Sequence, residues 1–384
     1  MLRTLSLLLA VAVLVGCVLW LTAPPSVRSA DEGAALRVIG CSGARGLLVE
    51  RAPGRWEWRR EPVGATQPTW LALPDTPLGL PRLDSAGRVH WLGDTGVALF
   101  RGEGDPEWCP PPLEARGTLQ LVGVDHDNQP VLREEHAEGD RLFVRTEALG
   151  WILLSEPAGR AAVPADSHVL LHEHRAALAF RGAEGWEAWL HDAVPARRLV
   201  ARRRRGDDAV FTPDGRALIV EGIVDGLDRL ELDESHMRFM ADGNFGDSSR
   251  VPFSAGIRGD PPLLASVMHD TQGFLQVIQT HLGGGGRHQF TTGQLQHYLP
   301  RVSPSGRWLS YAQADFELQG DDAFREDLYL FDFDGQGRPA RLLGSRSGGH
   351  PHQGPLFLGD GGRLAWIADG RLLVAWLAAV PSSP

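Results

Sequence analysis

Lysine is absent from this sequence: all 38 basic residues are arginine. This absence excludes a lysine Schiff base and every other lysine-based acid–base mechanism. The formal net charge of −10 also has the wrong sign for general attraction to nucleic-acid phosphates. The composition therefore excludes lysine chemistry and argues against nucleic acid as a partner.

Motifs that carry enzymatic chemistry are missing as well. The sequence has no G-x-S-x-G elbow and so offers no α/β-hydrolase nucleophile. Neither H-E-x-x-H nor a paired C-x-x-C occurs, and Gly283 to Gly286 lacks the Lys-Ser/Thr of a phosphate-binding loop. The spacing of the 14 histidines matches no defined metal site. No catalytic residue, metal site or cofactor is predicted.

Cysteine is scarce, with three residues in the chain. Cys17 lies in the N-terminal apolar run, which leaves Cys41 and Cys109 in the body. Two interpretations stay open for this pair: one disulfide in an oxidising compartment, or two separate half-buried thiols.

The one long apolar run is N-terminal, where residues 1–23 read as a targeting segment outside the fold. Within it, Leu14 to Cys17 resembles a bacterial lipobox, whose processing would leave Cys17 as a lipidated N-terminus. A second interpretation is an uncleaved membrane anchor, since about 18–20 apolar residues span a bilayer. A cleaved signal peptide is the third, although no small-x-small site follows the run. All three interpretations imply that the rest of the chain is exported. Residues 24–35 follow the apolar run as a short tether.

What the sequence does contain is a repeated turn. Its clearest copy is Ser303 to Tyr311 (Ser-Pro-Ser-Gly-Arg-Trp-Leu-Ser-Tyr), followed by Asp327 to Gly335. Pro304 presets φ for a turn, and Gly306 supplies the backbone freedom that a chain reversal needs. Because apolar and aromatic residues flank the turn, the stretch is predicted to form strand, tight turn and strand.

Weaker copies of this unit recur along most of the chain. Their turn glycines, or the residues that replace them, lie near positions 46, 87, 128, 175, 215, 273, 306 and 362. At one of these positions stands Asn128, which tolerates the left-handed conformation. The mean spacing of roughly 45 residues is the length of one four-stranded propeller blade. No long segment shows a helical period.

Ser303 to Tyr311, with Asp327 to Gly335 and Arg341 to Leu343, resembles the blade consensus of TolB-type, WD40-like β-propellers. Thr212 to Val220 is similar to the first part of that consensus. The resemblance covers most of residues 36–380 and implies an exported bacterial propeller. It is specific to a fold and not to a function.

We therefore predict an all-β fold: a single propeller over residues 36–380, followed by a tail of residues 381–384. The unit count favours eight four-stranded blades over seven. The last unit has only three strands, and Leu36 to Ile39 is the candidate for an N-terminal strand that completes it. In that case the first unit is incomplete and seven blades result.

The strongest local charge feature is an arginine segment between the fourth and fifth units. It consists of Arg197, Arg198, Arg202, Arg203, Arg204 and Arg205. An exposed run of this kind binds anionic partners. The other interpretation is a solvated connector, partly neutralised by Asp207 and Asp208.

The predicted function is that of an exported, membrane-tethered propeller, which faces the periplasm and binds or scaffolds proteins of the bacterial cell envelope. Binding is favoured over catalysis because the chain is almost entirely propeller and carries no recognisable catalytic set. The alternative is a metal-assisted lyase or hydrolase that acts on a saccharide or peptide at the central channel. At least three His, Asp or Glu side chains converging at the channel mouth would favour that alternative.

Overall fold

The computed structural model describes most of the chain after residue 25. The described ranges are 26–27, 29–40, 46–60, 69–135, 140–154, 169–172, 175–182, 185–191, 197–202, 209–212, 214–221, 226–232, 237–242, 254–258, 263–281, 287–303, 305–314, 325–334, 338–342, 347–348, 353–358 and 362–377. Every regular element in these ranges is a β-strand. They contain no helix long and apolar enough to cross a membrane, and the N-terminal segment 1–23 lies outside them.

The described residues form 34 strands. The first ten are β1 (Ser26–Val27), β2 (Ser29–Ala34), β3 (Arg37–Gly40), β4 (Leu47–Ala52), β5 (Arg55–Arg60), β6 (Thr69–Ala72), β7 (Arg82–Leu83), β8 (Val89–Gly93), β9 (Gly96–Phe100) and β10 (Glu107–Cys109). The next twelve are β11 (Leu119–Val124), β12 (Pro130–Glu134), β13 (Arg141–Thr146), β14 (Gly150–Leu153), β15 (Val169–Leu171), β16 (Ala177–Gly182), β17 (Gly185–Leu190), β18 (Arg197–Arg202), β19 (Ala209–Phe211), β20 (Ala217–Glu221), β21 (Gly226–Glu231) and β22 (Met237–Asp242). The last twelve are β23 (Ser254–Arg258), β24 (Leu263–His269), β25 (Leu275–His281), β26 (Arg287–Gln289), β27 (Gln296–Val302), β28 (Trp308–Ala314), β29 (Arg325–Asp332), β30 (Ala340–Leu342), β31 (Ser347–Gly348), β32 (Gln353–Leu358), β33 (Arg363–Ala368) and β34 (Arg371–Trp376).

These strands form eight sheets, each built around an antiparallel meander. Six blades use four consecutive strands, from β3–β6 to β23–β26, and the seventh, β27–β30, gains β1 and β31. The first strands of neighbouring blades contact one another, so they lie at the centre of the ring. The predicted β-propeller is confirmed, and the blade count is eight.

The eighth blade is closed by the N-terminal part of the chain. β32, β33 and β34 are completed by β2, in the register Ser29↔Ala375 and Ala30↔Val374. The closing strand is therefore not Leu36 to Ile39, the segment considered from the sequence. That segment instead supplies β3, the first strand of a complete first blade, and β2 comes from the segment assigned to the tether.

The repeated turn has the backbone that its residues predict. The φ angle is positive at Gly87 (77°), Asn128 (60°), Gly215 (66°) and Gly306 (70°). Each of these amides donates a hydrogen bond to the carbonyl three residues earlier, for example from Gly306 to Ser303 at 2.8 Å. A side chain with a Cβ resists this conformation, which explains the glycines and the single asparagine.

The sixth unit differs from the others in phase. Its turn, Asp270 to Phe274 with Gly273 at φ 86°, connects β24 and β25, which are the second and third strands of their blade. In the other blades the predicted turn position lies between the first and second strands. The residue pattern identified the turn, but it did not reveal that β23 precedes it in the same sheet.

The hydrophobic core lies between the blades, because successive side chains of a strand point to opposite faces of its sheet. In β4, Leu47 and Val49 pack against the eighth blade, whereas Leu48 packs against the second. In β33, Trp366 packs against the seventh blade, and its neighbour Ala365 packs against the first. The first and eighth blades are thus each buried on both faces by their neighbours.

Candidate functional site

The ring has two faces, distinguished by their connections. In an antiparallel meander the first-to-second and third-to-fourth strand connections lie at one end of a blade. We call this end the turn face. The second-to-third connections and the links from an outermost strand to the next blade's first strand lie at the opposite end, which we call the connector face.

A groove with a volume of about 280 Å³ runs along the joint between the second and third blades. The second blade lines it with Arg88, His90, Val97, Leu99, Arg101, Glu107, Trp108 and Cys109, followed by Pro110. The third blade lines it with Asn128, Gln129, Pro130, Arg145 and Glu147. The groove therefore combines three arginines with two carboxylates, a thiol and several apolar groups.

A buried carboxylate, Asp84, holds the second-blade wall of the groove. It accepts hydrogen bonds from Arg88 Nε at 2.6 Å, from the Arg88 amide at 2.8 Å and from His90 Nε2 at 2.9 Å. Burial alone would raise the pKa of Asp84, but these bonds and the charge of His90 outweigh it and lower that pKa. The positive charge of Arg88 is therefore matched within its own blade.

The third-blade wall is fixed by the turn around Asn128. Arg145 Nη1 donates to Gln129 Oε1 at 2.8 Å, so this half-buried guanidinium is oriented by a neutral amide. Asn128 Oδ1 accepts from the hydroxyl of Ser85 at 2.8 Å, which ties the turns of the two blades together. The groove thus spans a joint that is itself hydrogen-bonded.

Two exposed side chains form an ion pair in the lining of the groove. Arg101 donates from Nε to Glu107 Oε1 at 2.9 Å and from Nη2 to Oε2 at 3.1 Å. The Arg101 bonds are the largest cause of the lowered pKa of Glu107. The second lining carboxylate, Glu147, is also exposed.

Cys109 lies in the groove wall as a half-buried free thiol. Its Sγ donates to the Pro110 carbonyl at 3.5 Å, and Trp151 Nε1 donates to the same carbonyl at 2.9 Å. Burial raises the pKa of Cys109, although Arg145 acts in the opposite direction. Cys41 lies outside the described residues, so a disulfide between the two stays a prediction.

Exposed leucines concentrate on the connector face. Leu36 links β2 to β3, Leu78 and Leu80 link β6 to β7, and Leu113 links β10 to β11. Their side chains are 52%, 51%, 37% and 95% exposed. All four lie on outer-to-inner connections of successive blades, so they share one face of the ring.

The structure places the other sequence-predicted site residues apart from the groove. Arg197, Arg198 and Arg202 lie in β18, the outermost strand of the fourth blade. Arg203, Arg204, Arg205 and Cys17 lie outside the described residues, so the roles predicted for them stay predictions.

Glu134, which forms an acidic pair with Glu135 in the sequence, lies in a strand and not in a loop. Glu134 is fully buried in β12, where it accepts from the Arg116 and Gly117 amides and from Arg141 Nε. Burial opposes its charge, but these donors together lower the pKa of Glu134. It is a structural carboxylate.

Histidines do not gather into a metal site in the described part of the chain. No group of three or more His, Cys, Asp or Glu side chains there is arranged to hold a metal ion. His172 Nε2 lies 3.0 Å from the Thr212 carbonyl and so links the fourth and fifth blades. His297 is buried, and burial lowers its pKa.

Sequence reasoning missed Arg88, Arg101 and Arg145. Two features of the sequence together point to them. Residues two apart in a strand lie on the same face, and consecutive blades are neighbours in the ring. Arg145 follows Phe143 by two residues, and Phe143 packs towards the second blade. Arg101 follows the groove residue Leu99 by two residues. The repeat is a pattern of turns, and it carries no information about which strand ends of neighbouring blades face each other.

The chain matches no protein-family model and no curated protein sequence. It is similar to the WD40 domain of SCAP from fission yeast, with a TM-score of 0.57 and 9% identity over 91% of this chain and 96% of that one. It is also similar to dipeptidyl peptidase 4 of Porphyromonas gingivalis, with a TM-score of 0.57 and 12% identity over 88% of this chain and 56% of that one. For a putative TolB from Agrobacterium tumefaciens the TM-score is 0.38 and the identity 13%, over 81% of this chain and 95% of that one. The first two likenesses show the β-propeller fold.

Proposed function

We propose that this propeller is a protein-binding module of the bacterial cell envelope, docking its partner on the connector face. The observation that carries this proposal is the set of exposed leucines on one face, contributed by Leu36, Leu78, Leu80 and Leu113. Apolar side chains that concentrate on one side of a soluble domain mark interaction surfaces. They would form the apolar centre of an interface whose rim is polar.

Export and tethering are the second part of the proposal, and they rest on the sequence. Residues 1–23 combine an early arginine with a long apolar run, and Cys17 ends a lipobox-like stretch. Mass spectrometry of the mature N-terminus tests this part. An acylated Cys17 supports lipid anchoring and an intact Met1 supports a signal anchor, whereas release of the unmodified body from the membrane fraction contradicts tethering.

The docking surface is tested by retention of envelope proteins on the purified chain. The variant Leu78→Ser/Leu113→Ser should lose at least about tenfold in retention of its main partner, because the apolar centre of an interface carries much of its binding energy. Leu149→Ser is the matched control: this leucine is 62% exposed but lies in the β13–β14 turn, on the turn face. Equal retention by all three proteins would overturn docking on the connector face.

The arginine segment is a second proposed contact, for an anionic partner. Replacing Arg202, Arg203, Arg204 and Arg205 with glutamine should weaken retention at low salt and have little effect at high salt, because salt screens exposed charges. Retention that is unchanged at both salt concentrations would remove this segment from the interface while leaving the leucine surface in place.

A further inference from the structure

We infer that the groove between the second and third blades binds the C-terminal carboxylate of a peptide, with Arg145 as the anchoring cation. None of the exposed leucines of the connector face lines the groove. The inference therefore goes beyond the proposed docking surface and stands or falls separately from it.

Charge matching in the groove singles out Arg145. Arg88 is paired with buried Asp84 at 2.6 Å, and Arg101 is paired with Glu107 at 2.9 Å. Arg145 donates instead to the neutral amide of Gln129, and within the described ranges no carboxylate lies at ion-pair distance from it. A guanidinium binds a carboxylate through two parallel hydrogen bonds, so Arg145 has donors and charge available for one.

The surroundings of Arg145 prepare it for an anion. Its bond to Gln129, which is itself 9% exposed, holds the guanidinium in place before a ligand arrives. Such preorganisation reduces the entropy that binding costs. Cys109 beside it is kept protonated by burial, so this thiol is a weak donor and not a competing negative charge.

The size and walls of the groove fit the end of a peptide chain. Its volume of about 280 Å³ lies just below the roughly 300–1,000 Å³ of pockets for drug-sized ligands. Val97, Leu99 and Pro130 in the lining suit an apolar terminal side chain next to the carboxylate. A terminal residue with an aliphatic side chain matches both the volume and the chemistry.

The exposed acids of the lining favour a single negative charge over a polyanion. Glu147 would repel a phosphate dianion or a strongly acidic segment more than a lone carboxylate. The charge of Glu107 is largely offset by Arg101. This pattern selects a monoanion, and a peptide with a neutral body and a free C-terminus is the ligand that meets it.

The experiment compares two probes on the full chain by calorimetry. Acetyl-Ala-Ala-Leu with a free carboxylate should bind, and the same peptide with a C-terminal amide should bind at least about tenfold more weakly, since it cannot form the charge-assisted pair. The substitution Arg145→Gln should weaken binding of the acid peptide by a similar factor. Arg145→Lys should recover only part of the loss, because an ammonium lacks the planar fork.

Matched controls separate this site from general charge effects. Arg216→Gln should bind the acid peptide like the wild type, because Arg216 is an exposed arginine in the turn before β20 of the fifth blade, whereas the groove lies between the second and third. Leu78→Ser/Leu113→Ser should do so as well, since neither leucine lines the groove. If acid and amide bind equally, if the acid peptide does not bind at millimolar concentration, or if Arg145→Gln binds like the wild type, the inference is overturned.

Alkylation of Cys109 provides a second readout inside the groove. Iodoacetamide modification, followed by mass spectrometry of the peptide that contains Cys109, should slow when the acid peptide is present and stay unchanged with the amide. Sodium acetate at equal concentration should protect less. Equal protection by acetate would show that the groove takes any small carboxylate, and this would overturn the peptide part of the inference.

Discussion

Asp84 and Asp125 occupy the same position in the turns of neighbouring blades, but their surroundings shift their pKa values in opposite directions. Asp84 faces Arg88 and His90, whose hydrogen bonds outweigh burial and lower its pKa. Among the described residues, the Asp125 carboxylate accepts from two backbone amides, those of Asp127 and Gln129, and burial raises its pKa to about 6. The same turn position therefore makes stability depend on pH in opposite directions in the second and third blades.

Asp125→Asn tests this difference. The native pKa of Asp125, about 6, exceeds the reference value of 3.8. Between those values the native state binds more protons than the unfolded state, so the contribution of Asp125 to stability falls as pH rises through that window. Asparagine does not ionise. The variant should therefore gain about 1–3 kcal/mol relative to the wild type between pH 4 and pH 7.5, measured by urea unfolding.

Asp84→Asn is the control of opposite sign for that measurement. The stabilisation from a lowered carboxyl pKa is present above the unfolded pKa and is lost as pH falls. That window lies below the reference pKa of 3.8, so Asp84→Asn should lose more stability relative to the wild type at about pH 5 than at about pH 2.5. A difference from the wild type that does not change with pH, in either variant, would contradict the assigned pKa directions.

The positive φ angles of the turn glycines allow a second prediction at the scale of the residue. Gly87 has a φ of 77°, and a Cβ built on it meets no atom within 4 Å, so substitution there tests the backbone alone. Gly87→Ala should cost about 1 kcal/mol, and Gly87→Asn should cost less, because asparagine occupies the same conformation in the next blade. Thermal unfolding of both variants checks this. Equal losses would show that the conformational argument is wrong.

At the scale of the element, the closing strand β2 is held by a buried charge pair as well as by its backbone. Glu32 of β2 lies 3.2 Å from Arg59 Nη2 of the first blade, and the Arg59 side chain is 1% exposed. The guanidinium of Arg59 also lies 5.9 Å from the centre of Trp70 and 6.0 Å from that of Trp376. Burial lowers the pKa of Arg59, and the charge of Glu32 opposes this shift. The pair joins the eighth blade to the first.

Glu32→Gln should destabilise the ring by about 2–3 kcal/mol, because it leaves Arg59 buried with less compensation. Adding Arg59→Met should recover most of this loss, since an apolar side chain needs no partner. The control is Asp31→Asn in the same strand, where the pair with Arg371 is exposed and its removal should change little. Chemical denaturation compares the four proteins. A larger effect at Asp31 than at Glu32 would contradict the role given to the buried pair.

At the scale of the whole molecule, ring closure depends on residues that precede the first blade. A chain that starts at Ala35 loses β2 and leaves β34 as an uncovered edge in a three-stranded eighth blade. It should melt at least about 5 °C lower than a chain starting at Ala23, or aggregate. Differential scanning calorimetry with light scattering measures both. Equal melting of two monomeric chains would show that β2 does not stabilise the ring.

The turn signature was sufficient to predict most of the blades because it is local. A glycine or asparagine with positive φ follows a Ser, Thr or Asp within a few residues, and this pattern survives where strand residues diverge. Asn128 shows that even the replacement of the glycine was predictable from conformational tolerance. The sixth blade shows the limit of this signal, since a turn alone does not reveal which two strands it connects.

The sequence by itself determined the fold class, the blade length and the turn conformations, because all three depend on periodicities and φ preferences of neighbouring residues. Only the tertiary structure decided that Ser29–Ala34 closes the ring, since strand pairing joins segments more than 300 residues apart. It also decided that Arg88, Arg101 and Arg145 line one groove. Which charges are matched there depends on two blades meeting in space, and no local pattern in the chain encodes that meeting.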